Sequence, residues 1–289
     1  VPCYHPLKAF RTTTGISFVE DRRRGDFLGD IELPCGQCIG CRMRRASDWS
    51  LRVMHEASCW PENCFVTLTY ANGECPPNFS LDHRDYQLFM KRLRKAFPGR
   101  KIRFYMCGEY GPETGRPHYH ACLFNVDFRS DRVLQGKSAS GEPYFDSAVL
   151  SKFWGKGRVS VQDLNKKTAS YCARYIMKKL LGQAAKDGYG DRQPEYAVMS
   201  KGIGAAWFQK YGRDVFPHDL CVDSEGREVR PPRFYDRLLA RRKVLVEDQI
   251  KFSREQRAKL SAEDNTDERR SVREQVHLAR VRDLKRENL

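Results

Sequence analysis

No apolar run in the 289-residue sequence approaches the ~18 residues that cross a bilayer as a helix. Val1 to Phe10 lack the apolar core of a signal peptide, so neither a membrane protein nor an exported one is expected. Acidic residues are in short supply: 37 Asp and Glu against 52 Lys and Arg give a formal charge of +15 at pH 7, and the pI is about 9.4. An excess of that size favours a polyanionic partner. Apolar content is also low, at 40% against the ~45–50% usual for globular chains, while charged residues reach 31% against ~25%. The length nevertheless allows one large domain or two small ones, with a core that needs no disulfide staples. There is no internal repeat and no helicase P-loop.

Eleven cysteines, an odd number without an export signal, fit a reducing compartment better than a disulfide framework. Cys59, Cys64, Cys107, Cys122, Cys172 and Cys221 sit singly among apolar residues and read as core thiols. Cys35-Gly-Gln-Cys38-Ile-Gly-Cys41 is different, because its spacing lets successive thiolates turn toward one centre, with Gly36 and Gly40 permitting tight turns. Structural zinc wants a fourth ligand, and Cys3 or His5 is the nearest candidate, Cys3 being the choice. An iron–sulfur cluster and free thiols on a structural turn are the other readings.

Patterning suggests a hairpin within 14–34, then a basic helix from Arg42 with Met43, Ala46, Trp49, Val53 and Ala57 at helical spacing. Phe65 to Tyr70 reads as a strand ending at the turn Asn72-Gly73. Ser80 is the expected N-cap of a helix over Leu81 to Phe97, whose face carries Tyr86, Phe89, Leu93 and Phe97. Lys101 to Cys107 and Tyr119 to Val126 read as neighbouring strands, Arg158 to Gln162 as another, and Thr168 to Leu181 as a helix. This order implies an α+β fold with helices on one face of an antiparallel sheet. The expected organisation is an N-terminal hairpin, Cys turn and basic helix (1–60), a core (61–185), an irregular aromatic and Gly/Pro segment packed on it (186–235), and a charged, solvated helical tail or hairpin (236–289).

His118-Tyr119-His120 places two imidazoles on one face of a strand, while Tyr119 turns into the core. Glu109, at the end of the preceding strand, completes a His/His/carboxylate set suited to Mg²⁺ or Mn²⁺ if the strands are hairpin neighbours; the bland alternative is a loop carboxylate paired with Arg116. Tyr171 and Tyr175 share a helix face, with Lys178 or Lys179 one turn further on. Alone, such a pair is ordinary core packing. Beside a metal that polarises a phosphate and a Lys that meets its charge, a phenol of pKa ~10 becomes a usable nucleophile.

The succession of Phe65 to Tyr70, His118-Tyr119-His120 and Tyr171…Tyr175 with Lys178-Lys179 resembles the three motifs of HUH rolling-circle replication initiators. Pro34 to Arg42, Gly202-Ile203-Gly204, Phe216-Pro217-His218-Asp219 and Arg230 to Asp236 resemble the replication initiators of microviruses, particularly the gokushovirus branch. The resemblance runs from about Cys3 to Leu239. It implies an HUH-type, RRM-like core and a nuclease that nicks one strand at an origin and stays joined to the 5′ end through phosphotyrosine. In that scheme Tyr171 and Tyr175 alternate, with Lys178 or Lys179 stabilising the phenolate. His118, His120 and Glu109 hold Mg²⁺ or Mn²⁺, and the carry-over is firmer for the histidines than for Glu109.

The implied partners are single-stranded DNA and a phage origin, with a host helicase or polymerase as a further candidate for the tail, and the implied setting is the cytoplasm of an infected bacterium. Arg22 to Arg24, Arg42, Arg44, Arg45, Lys91, Arg92, Arg94, Lys95, Arg116 and Arg174 are candidate DNA contacts, and Phe153, Trp154 and Trp207 candidate stacking platforms. Two other readings stand beside this one: the same chemistry in a mobilisation relaxase or HUH transposase, and a non-catalytic DNA-binding protein built on the zinc turn and basic helices.

Overall fold

The computed structural model describes residues 3–20, 25–138, 141–174, 183–241 and 246–286. In chain order these form β1 (Leu7–Thr12), β2 (Gly15–Ser17), β3 (Phe27–Leu33), α1 (Ile39–Ala57), β4 (Asn63–Thr69), α2 (His83–Ala96), β5 (Arg103–Tyr110), β6 (Pro117–Phe124), β7 (Arg132–Lys137), β8 (Pro143–Ser147), α3 (Ala148–Trp154) and β9 (Val159–Asp163). They continue as α4 (Lys166–Ala173), α5 (Gln183–Tyr189), β10 (Tyr196–Met199), α6 (Ala205–Val215), β11 (Cys221–Val222), β12 (Glu228–Val229), α7 (Arg233–Ala240), α8 (Val246–Leu260) and α9 (Asp267–Arg286). Two compact units result, 1–45 with 252–289, and 46–251.

In the first unit, β2, β1 and β3 form an antiparallel sheet in that order. The hairpin expected within 14–34 does not form as such: β2 and β3 each pair with β1, which lies between them, and not with each other. The charged tail is helical as expected, and within this unit α9 is tied down: His5 Nε2 lies 2.8 Å from Glu274, Arg270 Nη1 donates to Glu32 at 3.2 Å, and the buried Tyr4 hydroxyl meets His277.

The second unit is built on a seven-stranded sheet in the order β10-β5-β6-β4-β9-β8-β7, with every pairing antiparallel. Because side chains alternate along strands, the register divides the residues cleanly. Cys64, Val66 and Leu68 of β4 share one face with Tyr119, Ala121 and Leu123 of β6, where α2 contributes Tyr86, Phe89 and Leu93 and α3 contributes Leu150 and Trp154. Phe65, Tyr105, Cys107, Cys122 and Phe124 occupy the other, against Val53 of α1, Ala169 and Cys172 of α4, and Ile203. Helices therefore cover the expected face and the opposite one as well, because α1 and α4 each present an apolar stripe to it.

Several local expectations shift. The α2 N-cap is Asp82, whose side chain accepts from the Arg84 N–H at 2.8 Å, while the Ser80 hydroxyl accepts from Gln193 N–H at 2.9 Å. Within the stretch read as irregular, Tyr196–Met199 pairs with β5 as an edge strand. Cys64, Cys107, Cys122, Cys172 and Cys221 are buried thiols, whereas Cys59 lies exposed in the turn after α1. Trp154 is 0% exposed and donates from Nε1 to the Thr69 carbonyl, Phe153 packs against the same core, and Trp207 stacks on His55 with ring centroids 3.5 Å apart. Trp154 is therefore committed to packing and is no platform for bases, while Phe153 and Trp207 are half-buried.

Candidate metal and tyrosine site

Three adjacent strands meet at the site. Glu109 of β5 lies directly opposite His118 of β6, and His120 lies between Cys107 of β5 and Thr67 of β4. Opposed residues share a face, so Glu109, His118 and His120 all point to the side covered by α1 and α4. Their candidate ligand atoms lie within 4.8 Å of one another. Tyr119 points the other way: it is 0% exposed, and its hydroxyl donates to the Asp82 carbonyl at 2.7 Å.

Hydrogen bonds orient the imidazoles. His118 Nδ1 is 3.1 Å from the Arg116 carbonyl. A carbonyl only accepts, so Nδ1 carries the proton and Nε2 keeps its lone pair for a ligand. His120 Nδ1 is 3.0 Å from the Thr67 hydroxyl, and its ring stacks on Phe65 at 5.7 Å. Glu109 is 2% exposed and accepts a hydrogen bond from the Cys107 thiol at 3.1 Å. A carboxylate buried to that degree is costly unless hydrogen bonds and a cation meet it. The set of two imidazoles and one carboxylate therefore fits a divalent ion both in donor type and in charge.

Tyr171, on α4, brings its hydroxyl to 3.4 Å from His120 Nε2, with the two rings edge to face at 4.8 Å. Helix α4 is fixed ahead of this residue by a capping box in which Asn165 accepts from Thr168 N–H and Thr168 bonds back to Asn165 N–H. Tyr171 is 39% exposed at residue level, so the phenol sits at the site's rim. Burial of the hydroxyl, and then the nearby Glu109 carboxylate, push its pKa above the ordinary value of 10. A cation held by Glu109 and the histidines would act in the opposite direction.

Tyr175, Lys178, Lys179 and Arg22 to Arg24 lie outside the described residues. Arg116 donates to the Tyr70 carbonyl at 2.7 Å and to Asn72, and Arg174 is exposed at the end of α4. Arg42, Arg44 and Arg45 belong to the first unit, in the opening turns of α1. Sequence reasoning missed Thr67, which touches His120 only because β4 and β6 pair in this register. It also missed an open groove of about 530 Å³ that includes Thr67, Thr69, Tyr144, Arg158 and Gln162.

The sequence profile of the family described as replication-associated protein ORF2/G2P matches residues 63–180, the stretch that contains every residue of this site. Replication-associated protein VP4 of Bdellovibrio phage phiMH2K is 31% identical over 242 residues, covering 81% of this chain and 75% of that protein. Replication-associated protein ORF2 of Spiroplasma virus 4 is 34% identical over 251 residues, covering 81% and 76%. Replication-associated protein ORF4 of Chlamydia phage 1 is 30% identical over 223 residues, which is 75% of this chain but 55% of that protein. No solved structure matches the chain. With this site geometry and relatives of that identity and coverage, the chain belongs to the replication-associated protein family of microviruses.

Proposed function

We propose that this protein initiates rolling-circle replication by nicking one DNA strand at a phage origin and rejoining it through its tyrosines. The observation that carries the reading is a phenol 3.4 Å from a histidine of the Glu109, His118 and His120 cluster. The similarity to three phage replication proteins favours it over a mobilisation enzyme or a transposase.

Glu109, His118 and His120 would hold Mg²⁺ or Mn²⁺, which supplies Lewis-acid charge at the scissile phosphate. The hydroxyl of Tyr171 or of Tyr175 attacks the phosphorus, and the bond to the 3′-oxygen breaks. The phenol gives up its proton, the departing oxygen gains one and becomes a 3′-OH, and the 5′-phosphate remains on the tyrosine. The other tyrosine of the pair is assigned the second attack on the regenerated origin, and Lys178 or Lys179 the phenolate's charge. The freed 3′-OH then attacks the phosphotyrosine and closes the circle. A phosphotyrosine ester conserves the phosphodiester's free energy, so rejoining needs no ATP. His118 and His120 are kept in position by the Arg116 carbonyl and the Thr67 hydroxyl. Arg42, Arg44, Arg45, Arg116 and Arg174 are assigned to the DNA backbone, whose contacts make binding salt dependent. The proposed setting is the cytoplasm of an infected bacterium, with a host helicase or polymerase as a further partner.

Incubation with single-stranded circular DNA bearing the origin and Mn²⁺, followed by a denaturing gel, tests this. A covalent protein–DNA band is expected with Mn²⁺ and absent with EDTA or in His118→Ala. Cleavage without attachment, or a band indifferent to EDTA, would count against it.

A further inference from the structure

Among the described residues, nicking leaves one cluster of potential ligands unused, within the first unit. Cys3, Cys35, Cys38 and Cys41 bring their sulfurs within 4.8 Å of one another. Cys3 Sγ and Cys38 Sγ are 3.9 Å apart. A disulfide would hold a pair at about 2.05 Å, whereas thiolates placed tetrahedrally at about 2.3 Å from zinc lie about 3.8 Å from one another. The separation is that of ligands around an ion.

The backbone around the cluster is arranged for sulfur acceptors. Cys35 N–H donates to Cys3 Sγ at 3.2 Å, Tyr4 N–H to Cys38 Sγ at 3.4 Å, and Cys38 N–H and Gln37 N–H to Cys35 Sγ at 3.3 and 3.5 Å. Amide donors of this kind stabilise negative charge on sulfur, as metal-bound thiolates require. Gly36, at φ +77°, takes the left-handed conformation that turns the chain between Cys35 and Cys38. Cys41 then enters from the first turn of α1, which begins at Ile39. His5, the other sequence candidate for fourth ligand, is instead paired with Glu274, which leaves Cys3 to close the set.

We infer that Cys3, Cys35, Cys38 and Cys41 bind one structural Zn²⁺, clamping the start of the chain to the N-terminus of α1. Binding releases the four thiol protons and leaves a closed tetrahedral site with no open position, so it serves folding rather than chemistry. The inference does not depend on the nicking reading.

The test uses the full chain, purified without added metal, in the native form and in a His118→Ala/His120→Ala form that removes the other candidate metal site. Both should carry zinc, and Co²⁺ exchanged for it should give the near-ultraviolet thiolate-to-cobalt charge-transfer bands that histidine and carboxylate ligands do not give. Cys35→Ser/Cys41→Ser in the double-Ala background should lose the metal, as should Cys3→Ser if the former misfolds. Cys59→Ser, which removes an exposed thiol outside the cluster, should retain it. Zinc retained in the cysteine variants, iron in place of zinc, or four thiols that alkylate freely in the native protein would overturn the assignment.

Discussion

Several contacts converge on the His120 ring: Thr67 on Nδ1, the Tyr171 hydroxyl beside Nε2, the Phe65 ring against its face and His118 edge-on at 4.8 Å. Thr67 is a positioning residue in this arrangement. Thr67→Val keeps shape and strand propensity while removing the hydroxyl, and it should weaken Mn²⁺ binding by roughly 10–100-fold, the usual effect of losing a partner behind a metal-binding histidine. Isothermal titration with Mn²⁺ measures it, and unchanged affinity would remove Thr67 from the role. The histidine pair was legible in the sequence because the period of a strand is two. Glu109 became legible only through the pairing of two strands, and Thr67 carries no signal in one dimension at all. Tyr171 was readable as one of a helical pair, but its approach to His120 depends on how α4 lies across the sheet.

At the scale of elements, the sequence showed most reliably where hydrophobic period and turn chemistry agreed. Helices α1 and α2 and strands β4, β5, β6 and β9 lie close to their expected ranges. The N-cap of α2 is Asp82 and not the expected Ser80: both residue types satisfy the capping rule, and a short 3₁₀ turn over Pro77–Phe79 delays the helix so that Asp82 takes the position. Asp82→Ala should cost about 1 kcal/mol in urea unfolding, against a smaller loss for Ser80→Ala. Equal losses would contradict the cap assignment. The β7–β8 hairpin carries little signal in the sequence because Val133 and Leu134 are adjacent and both exposed, which erases the alternation that marks a half-buried strand. The β10 edge strand was hidden by its length, four residues among turn formers.

At the scale of the whole molecule, the +15 charge made a polyanionic partner legible before any motif did, whereas the conditions under which the fold persists depend on buried groups. His55 is stacked on Trp207 and its Nδ1 is 2.8 Å from the Tyr235 hydroxyl, and burial lowers its pKa from 6.5 to about 4. The folded state therefore holds this imidazole neutral, while the unfolded chain protonates below about 6.5. Its contribution is complete above that pH and is lost as pH falls toward 4, by up to about 3 kcal/mol at ~1.4 kcal/mol per pKa unit. Urea unfolding at pH 7 and pH 4.5 should show a smaller fall in His55→Gln than in the native protein, and an identical fall would contradict the assignment. The central claim, that strand transfer passes through Tyr171 or Tyr175, is tested most directly by locating the attached nucleotide. Trypsin cuts after Lys167 and Arg174, so it separates Tyr171, in the peptide 168–174, from Tyr175, in 175–178. Mass spectrometry of the digested covalent complex should find the nucleotide on one of these two peptides; a nucleotide on any other residue would contradict the account.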